Sequence, residues 1–397
     1  MNATLTYDFL APRQIVFGWG RRREAGSLGK RIGRRAFLVS GLPSDVSRAV
    51  LPGIIDSLRA EGVAVVEAGT IDHEPEVADV DRLSEALRGH GAAEGDFLVG
   101  IGGGAAVDLA KGAAAMATNT ESLTVKDYLE GVGRGLKLTC APLPVLAMPT
   151  TAGTGAEATK NAVISSYDPP FKKSLRDDRM VPRVALVDPE LSVSVPPEVT
   201  AASGMDAITQ LIESYISKKA RPIPQALSAQ GLELAVPAIA TAVDDGSNRD
   251  ARERMAHAAL LSGMALANSG LGFAHGVAPV LGTHCRVPHG LACALLLPTA
   301  LKVNREVRRA ELARLAHLLY GESPGMSPEN AVDVLIQQIE RLCRRVGVPA
   351  RLADLGVRPE QIPTIARESL ESSSMKGNPR QLTLDELTGI LERSCQR

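Results

Sequence analysis

Aromatic side chains are almost missing from this chain: one Trp, five Tyr and six Phe in 397 residues. Since 45% of the residues are still apolar, its cores must be built from Ala, Val, Ile and Leu. Excess charge is missing too. The 44 Lys and Arg offset 45 Asp and Glu to a net charge of −1, and basic residues gather only in short runs such as Arg21-Arg22-Arg23. A nucleic-acid binder would carry a basic face or stripe, so no nucleic-acid partner is expected. The five cysteines (Cys140, Cys285, Cys293, Cys343, Cys395) are odd in number and never stand in a C-x-x-C spacing. That speaks against a disulfide framework or a thiolate zinc site and suits a reducing cytoplasm. Residues 1–13 lack a charged segment followed by an apolar one, so no signal peptide is expected. No apolar run approaches the ~20 residues that span a bilayer, so a membrane is not expected either.

What is present changes character along the chain. Up to about residue 190, β-type runs alternate with amphipathic stretches: Gln14–Phe17, Arg35–Ser40, Val63–Ala68, Asp96–Ile101, Leu143–Met148 and Val184–Val187, with Ser47–Glu61 and Glu76–Arg88 among the helical patterns. Such alternation predicts βαβ units and a mostly parallel sheet. Fully apolar runs such as Phe97-Leu98-Val99 suit a sheet covered on both faces. After Pro196-Pro197 strand signals vanish, and Ala/Leu-rich helical patterns run to the end, expected to break at Pro222, Pro279, Pro288, Pro298 and Pro349. The chain therefore divides into a nucleotide-binding α/β domain, 1–195, and an all-helical domain, 196–397.

The strand Asp96–Ile101 runs into Gly102-Gly103-Gly104 and then a helical pattern from Ala105. Backbone N–H groups of such a turn, with those of the helix's first turn, form a nest for an anion at the positive end of the helix dipole. Gly100-x-Gly102-x-x-Ala105 also fits the generic dinucleotide template, a weak signal alone because glycine-rich turns are common. A second loop, Pro149–Thr159, brings hydroxyls of Thr150, Thr151 and Thr154 to the end of another strand, where open α/β sheets bind ligands.

In the helical part, Asp206 and Gln210 stand four apart and share a helix face. His275 and His289 each lie beside a glycine in apolar surroundings. A lone histidine there is usually a hydrogen-bonded core residue. Two with an aspartate make a catalytic divalent ion with an open coordination position the competing reading.

Together these segments resemble the iron-containing (group III) alcohol dehydrogenase family. The likeness spans nearly the whole chain, through Phe17-Gly18-Trp19-Gly20, Gly102–Lys111, Pro149–Thr159, Asp188-Pro189-Glu190-Leu191, Gly204–Ser217, His275, Pro288-His289-Gly290 and Asn378-Pro379-Arg380. The resemblance implies a Rossmann-like α/β domain and an all-helical domain of the dehydroquinate synthase-like fold, with cofactor and metal in a cleft between them. It implies NAD or NADP, one divalent ion (iron or zinc), a small alcohol, aldehyde or ketone as substrate, and a homodimer paired near Ile15–Phe17. By position, Gly102, Gly103, Gly104 and Ala105 hold the pyrophosphate, Thr150, Thr151 and Thr154 line the nucleotide, and Asp108 and Lys172 are further candidates. Asp206, His275 and His289 carry the metal.

Three positions depart from the family pattern. Gln210 stands where the family usually has a further histidine ligand; its amide oxygen is a poorer ligand. Pro279 replaces a histidine linked to proton transfer, which leaves metal-bound water, the ribose hydroxyl or His284 as substitute candidates. Gly41 replaces an aspartate that bonds the adenosine ribose, so NADP(H) is expected to be accepted, with Ser40 and Ser44 near the 2′-phosphate. The expected reaction is reversible hydride transfer between NAD(P)(H) and an alcohol/carbonyl pair. The alternatives are a nucleotide-binding member that has lost turnover and a lyase resembling 3-dehydroquinate synthase.

Overall fold

The computed structural model describes residues 6–322 and 325–396, so the first five positions of the segment read for a leader lie outside it. Among the described residues, eight strands form two sheets. β1 (Gln14–Phe17), β2 (Arg35–Ser40), β3 (Ala64–Thr70), β4 (Asp96–Gly102), β5 (Val145–Pro149) and β8 (Val184–Val187) build a six-stranded sheet in the order β1-β8-β5-β4-β2-β3. Every pairing in it is parallel. The helices α1 (Ala25–Lys30), α2 (Ser44–Ala60), α3 (Val77–Gly89) and α4 (Gly104–Thr118) cross over between strands.

Apolar runs serve both faces of this sheet. Successive strand side chains point to opposite sides, and Phe37, Val39, Val145 and Ala147 enter one core with Val80, Leu83 and Val107. Their neighbours Ala36, Leu38, Leu146 and Met148 enter the other with Leu51, Ile54 and Leu58. The near absence of aromatics is met by this interleaving of aliphatic side chains.

One element escaped the sequence reading. β6 (Asn161–Tyr167) and β7 (Pro170–Arg176) form an antiparallel hairpin. Its signal is a period of two, with Ala162 and Ile164 buried on one face, and it lay hidden beside the more conspicuous Thr/Gly loop.

The remainder is helical: α5 (Pro197–Ile216), α6 (Pro222–Asp244), α7 (Arg249–Ser269), α8 (Phe273–Cys285) and α9 (His289–Asn304), then helices over Arg309–Tyr320, Pro328–Arg345, Ile362–Leu370, Ser373–Gly377 and Leu384–Gln396. Pro222 opens α6 and Pro288 precedes α9, but Pro279 lies inside α8 and Pro298 inside α9. These two do not break their helices as expected. Interior proline costs about 3 kcal/mol, and here the buried faces of α8 and α9, packed on one another, hold the helices through it. By length and composition α6 alone among the described residues is long and apolar enough to cross a membrane, which is weak evidence because core helices pass the same test.

Two compact units result. One comprises Pro12–Val195 with Gly246–Ala256; the other comprises Met1–Ala11, Pro196–Asp245 and His257–Arg397.

A buried lysine ties the hairpin to α4. Lys111 Nζ donates to the carbonyl of Ala156 at 2.9 Å, to Thr159 Oγ1 at 3.0 Å and to the carbonyl of Asn161, and lies 2.9 Å from Asp108 Oδ1. Asp108 Oδ2 in turn accepts the N–H of Val163 on β6. Removing one partner of a buried charged pair costs about 3–5 kcal/mol. Lys111→Met is therefore expected to lower the unfolding midpoint in urea markedly, and an unchanged midpoint would refute this role.

Candidate functional site

α5 sets Asp206, Gln210 and Glu213 on one face, at i, i+4 and i+7. All three are buried. Glu213 binds the start of α8. Its Oε1 accepts the N–H of Ala274 at 2.6 Å, and its Oε2 accepts those of Gly272 at 3.0 Å and His275 at 3.4 Å. Asn378 Oδ1 takes the N–H of Phe273. The orphan donors of α8's first turn are thus capped from outside, since the Gly272 cap has no side chain to do it.

The same Glu213 carboxylate lies 2.8 Å from His275 Nδ1. A carboxylate only accepts, so Nδ1 carries the hydrogen and Nε2 is the ring nitrogen left to bind. His275 Nε2 faces Asp206 Oδ1 at 3.2 Å. His289, the first residue of α9, places its Nε2 3.9 Å from the same oxygen. α9 reaches this position because Gly290 has no Cβ; one there would come within 2.5 Å of the Ala202 carbonyl on α5. Cys293, one turn further along α9, puts Sγ 3.7 Å from His289 Nε2. Ligand atoms of Asp206, His275, His289 and Cys293 all lie within 4.8 Å of one another.

These donors fit a divalent cation. With Nδ1 of His275 protonated, a neutral ring turns a lone pair on Asp206, so a proton or a cation must stand between them. Burial disfavours the imidazolium of His275, but Cys293 and the hydrogen bonds to Asp206 and Glu213 outweigh it and hold its pKa well above the usual histidine range. Burial pushes the Asp206 carboxyl up, yet His275 and His289 bring it net below the usual carboxylate value. Burial pushes the Cys293 thiol up to about 12.

Gln210 is otherwise engaged. Its Nε2 donates to Asp206 Oδ2 at 3.0 Å while Oε1 faces Ser262 Oγ at 2.7 Å. Reversing the amide would set oxygen against oxygen at Asp206. His284 sits in the last turn of α8, nine residues and about 14 Å of helix rise from His275, with Nε2 2.8 Å from Glu368. It does not join the Asp206–His275–His289–Cys293 cluster.

In the α/β unit, β4 ends at Gly102, whose φ of 149° excludes most side chains. A Cβ on Gly102 would also lie 2.9 Å from Gly41 Cα, and one on Gly41 would lie 2.9 Å from Ala106 Cβ. Gly41 is thus a packing glycine that lets the end of β2 close on α4. Gly103 has an ordinary φ of −67°. No side chain among the described residues caps the N–H groups of Gly103, Gly104 or Ala105, which leaves the α4 terminus fitted for an anion. The second loop lies against the first: the Thr150 N–H bonds the Gly102 carbonyl at 2.9 Å, and a Cβ on Gly104 would meet Thr154 Oγ1 at 2.6 Å. Thr151 borders Gly103.

Asp108 and Lys172 have other partners. Asp108 holds Lys111 and β6, as above, and Lys172 on β7 pairs with Glu74 at 2.6 Å. Glu157, buried beside Lys111 and Asp108, has its carboxyl raised by burial to about 7. Sequence reading missed Glu213 and Cys293. Both were signalled by helical spacing, Glu213 seven after Asp206 and Cys293 four after His289.

Residues 12–189 match the family model of iron-containing alcohol dehydrogenase, and residues 200–395 match that of the Fe-containing alcohol dehydrogenase family, C-terminal. The chain belongs to the iron-containing alcohol dehydrogenase family, whose members are alcohol and aldehyde oxidoreductases. It is 33% identical over 387 residues to lactaldehyde reductase of Escherichia coli, covering 96% of this chain and 99% of that one. A crystal structure of 1,3-propanediol oxidoreductase superposes with a TM-score of 0.90 at 31% identity, covering 98% and 100% of the two chains. Sulfoacetaldehyde reductase from Bifidobacterium kashiwanohense, solved with NAD+, gives 0.84 at 30% identity, covering 98% and 99%.

Partners that orient a metal-binding imidazole typically contribute 10–100-fold to metal affinity. Glu213→Gln is accordingly expected to weaken divalent-ion binding about tenfold or more, read by competition with a chromophoric chelator. Unchanged affinity in a folded variant would show that His275 needs no such partner.

Proposed function

We propose that this oxidoreductase transfers hydride between NAD(P)(H) and a small alcohol/carbonyl pair, using a divalent ion held by Asp206, His275 and His289. The observation that carries the reading is the convergence of three buried or half-buried donors from α5, α8 and α9 on one point, with His275 locked in the tautomer that offers Nε2. A bound divalent ion supplies Lewis acidity, which polarises a carbonyl oxygen or lowers the pKa of an alcohol. Asp206 provides the compensating negative charge, and Glu213 keeps the His275 ring from turning. The uncapped α4 terminus and Gly102–Ala105 bind the pyrophosphate, while Thr150, Thr151 and Thr154 border it. Pro279 has no proton to give, so no side chain at that position takes part in proton transfer.

Asp206→Ala, His275→Ala and His289→Ala are each expected to lose bound metal and aldehyde-dependent oxidation of reduced cofactor together, by at least a hundredfold, roughly 2.7 kcal/mol. Full metal occupancy in His275→Ala, by elemental analysis, would overturn the ligand assignment. A wild-type protein that binds metal and reduced cofactor but turns over no member of a panel of short aldehydes and ketones would overturn the activity.

We further propose that NADP(H) is accepted beside NAD(H), because no carboxylate stands at position 41 to repel a 2′-phosphate. Introducing one separates charge from packing. Gly41→Asp is expected to shift the kcat/KM ratio toward NADH by at least tenfold, about 1.4 kcal/mol, while Gly41→Ala, which crowds Ala106 equally, leaves the ratio unchanged. Equal shifts in both variants, or none in either, would refute the charge argument.

A cytoplasmic homodimer completes the proposal. Its support is five free thiols and an open sheet edge at β1 on which Ile15 is exposed.

A further inference from the structure

The family pattern supplies four protein ligands, and this chain has glutamine where one of them stands. We infer that the fourth ligand is the thiolate of Cys293, which makes the donor set one suited to zinc. The inference rests on the metal reading above.

Geometry comes first. With Zn–N, Zn–O and Zn–S bonds of about 2.0–2.3 Å, the edges of a tetrahedral donor set measure about 3.3–3.6 Å. The separations here are 3.2 Å for His275 Nε2 to Asp206 Oδ1, 3.7 Å for Cys293 Sγ to His289 Nε2 and 3.9 Å for His289 Nε2 to Asp206 Oδ1. The remaining separations are under 4.8 Å, so a contraction of the donor set brings four protein donors to one ion, and the substrate oxygen enters as a fifth ligand, an expansion that zinc makes in transition states. Gln210 is the rival for the fourth place, and its carbonyl is turned to Ser262 while its amide nitrogen braces Asp206.

Charge balance points the same way. Asp206 is 2%, His275 4% and Cys293 0% exposed, and an unbalanced charge at such depth is costly. Among the groups that touch the ion, aspartate and thiolate together neutralise a dication, with the two imidazoles neutral, while the Glu213 charge is met by three backbone N–H groups and the His275 Nδ1–H. The thiol proton leaves to solvent as the cation binds, because a coordinated thiol is deprotonated outright. Metal uptake by the wild type thus releases one proton from Cys293.

Thiolate with imidazole in a tetrahedral arrangement favours zinc, whereas sites of carboxylate and water suit harder ions. The same sulfur also makes the site readable by spectroscopy.

The test loads the metal-depleted, full-length protein with Co2+. The wild type is expected to bind one ion per chain with a sulfur-to-cobalt charge-transfer band in the near ultraviolet. Cys293→Ser should still bind cobalt but lose that band, and its Zn2+ affinity should fall tenfold or more. Gln210→Ala should keep the band. X-ray absorption of the zinc-loaded wild type, which depends on no variant folding, should show one sulfur neighbour at about 2.3 Å. Cobalt bound without the band, or zinc ringed only by nitrogen and oxygen, would overturn the cysteine ligand and leave the metal reading standing. A wild type that binds neither ion would overturn both.

Discussion

The helical unit is organised around one buried carboxylate. Glu213 is 2% exposed, and an ionised group at that depth survives only if its lone pairs are filled. They are filled by three backbone N–H groups at the start of α8 and by the ring of His275. Hydrogen bonds to a charged group contribute about 1.5–3 kcal/mol each, so this contact fixes both where α8 begins and how its histidine is turned. Cap and ligand orientation are one interaction. Asp206 lies two helical turns away on the same face of α5, so the distance between the orienting carboxylate and the binding one is set by helix geometry rather than by a loop.

The two units treat helix starts in opposite ways. At α8 the first-turn N–H groups are all spent on Glu213 and Asn378. At α4 they are left without side-chain partners, beside a second loop rich in hydroxyls. A helix terminus satisfied by protein is structural; one held open at the carboxyl end of a parallel strand is suited to an anionic ligand. The difference lies in what stands opposite each glycine, a glutamate in one unit and threonines in the other.

Much of this was legible in the sequence. Alternating apolar runs disclosed the parallel sheet because buried parallel strands have no polar face to blur them, and the shift to Ala/Leu-rich patterns after Pro196-Pro197 disclosed the helices. Asp206, His275 and His289 stood out by residue type. What spacing along the chain does not carry is which partner claims a side chain. Asp108 and Lys172 read as nucleotide candidates, yet Lys111 and Glu74 occupy them. Gln210 read as a weak ligand, yet it braces Asp206. Cys293 was counted against a thiolate zinc site because no second cysteine stands near it in sequence, and a single thiol one turn from a histidine matters only when two other helices bring their donors to it. Pro279 and Pro298 misled because local propensity was weighed without the packing that overrides it.

Gly41, Gly102 and Ala106 close on one another so tightly that any Cβ added to either glycine comes within 3 Å of a neighbour. Position 41 is therefore not free to vary by itself. A larger or charged residue there needs the β4–α4 turn to open, where Ala106 could shrink only to glycine and loosen the first turn of α4. Side-chain size at the strand end is thus coupled to the shape of the phosphate loop, so that any residue larger than glycine at position 41 is accommodated by a shift of that loop as well.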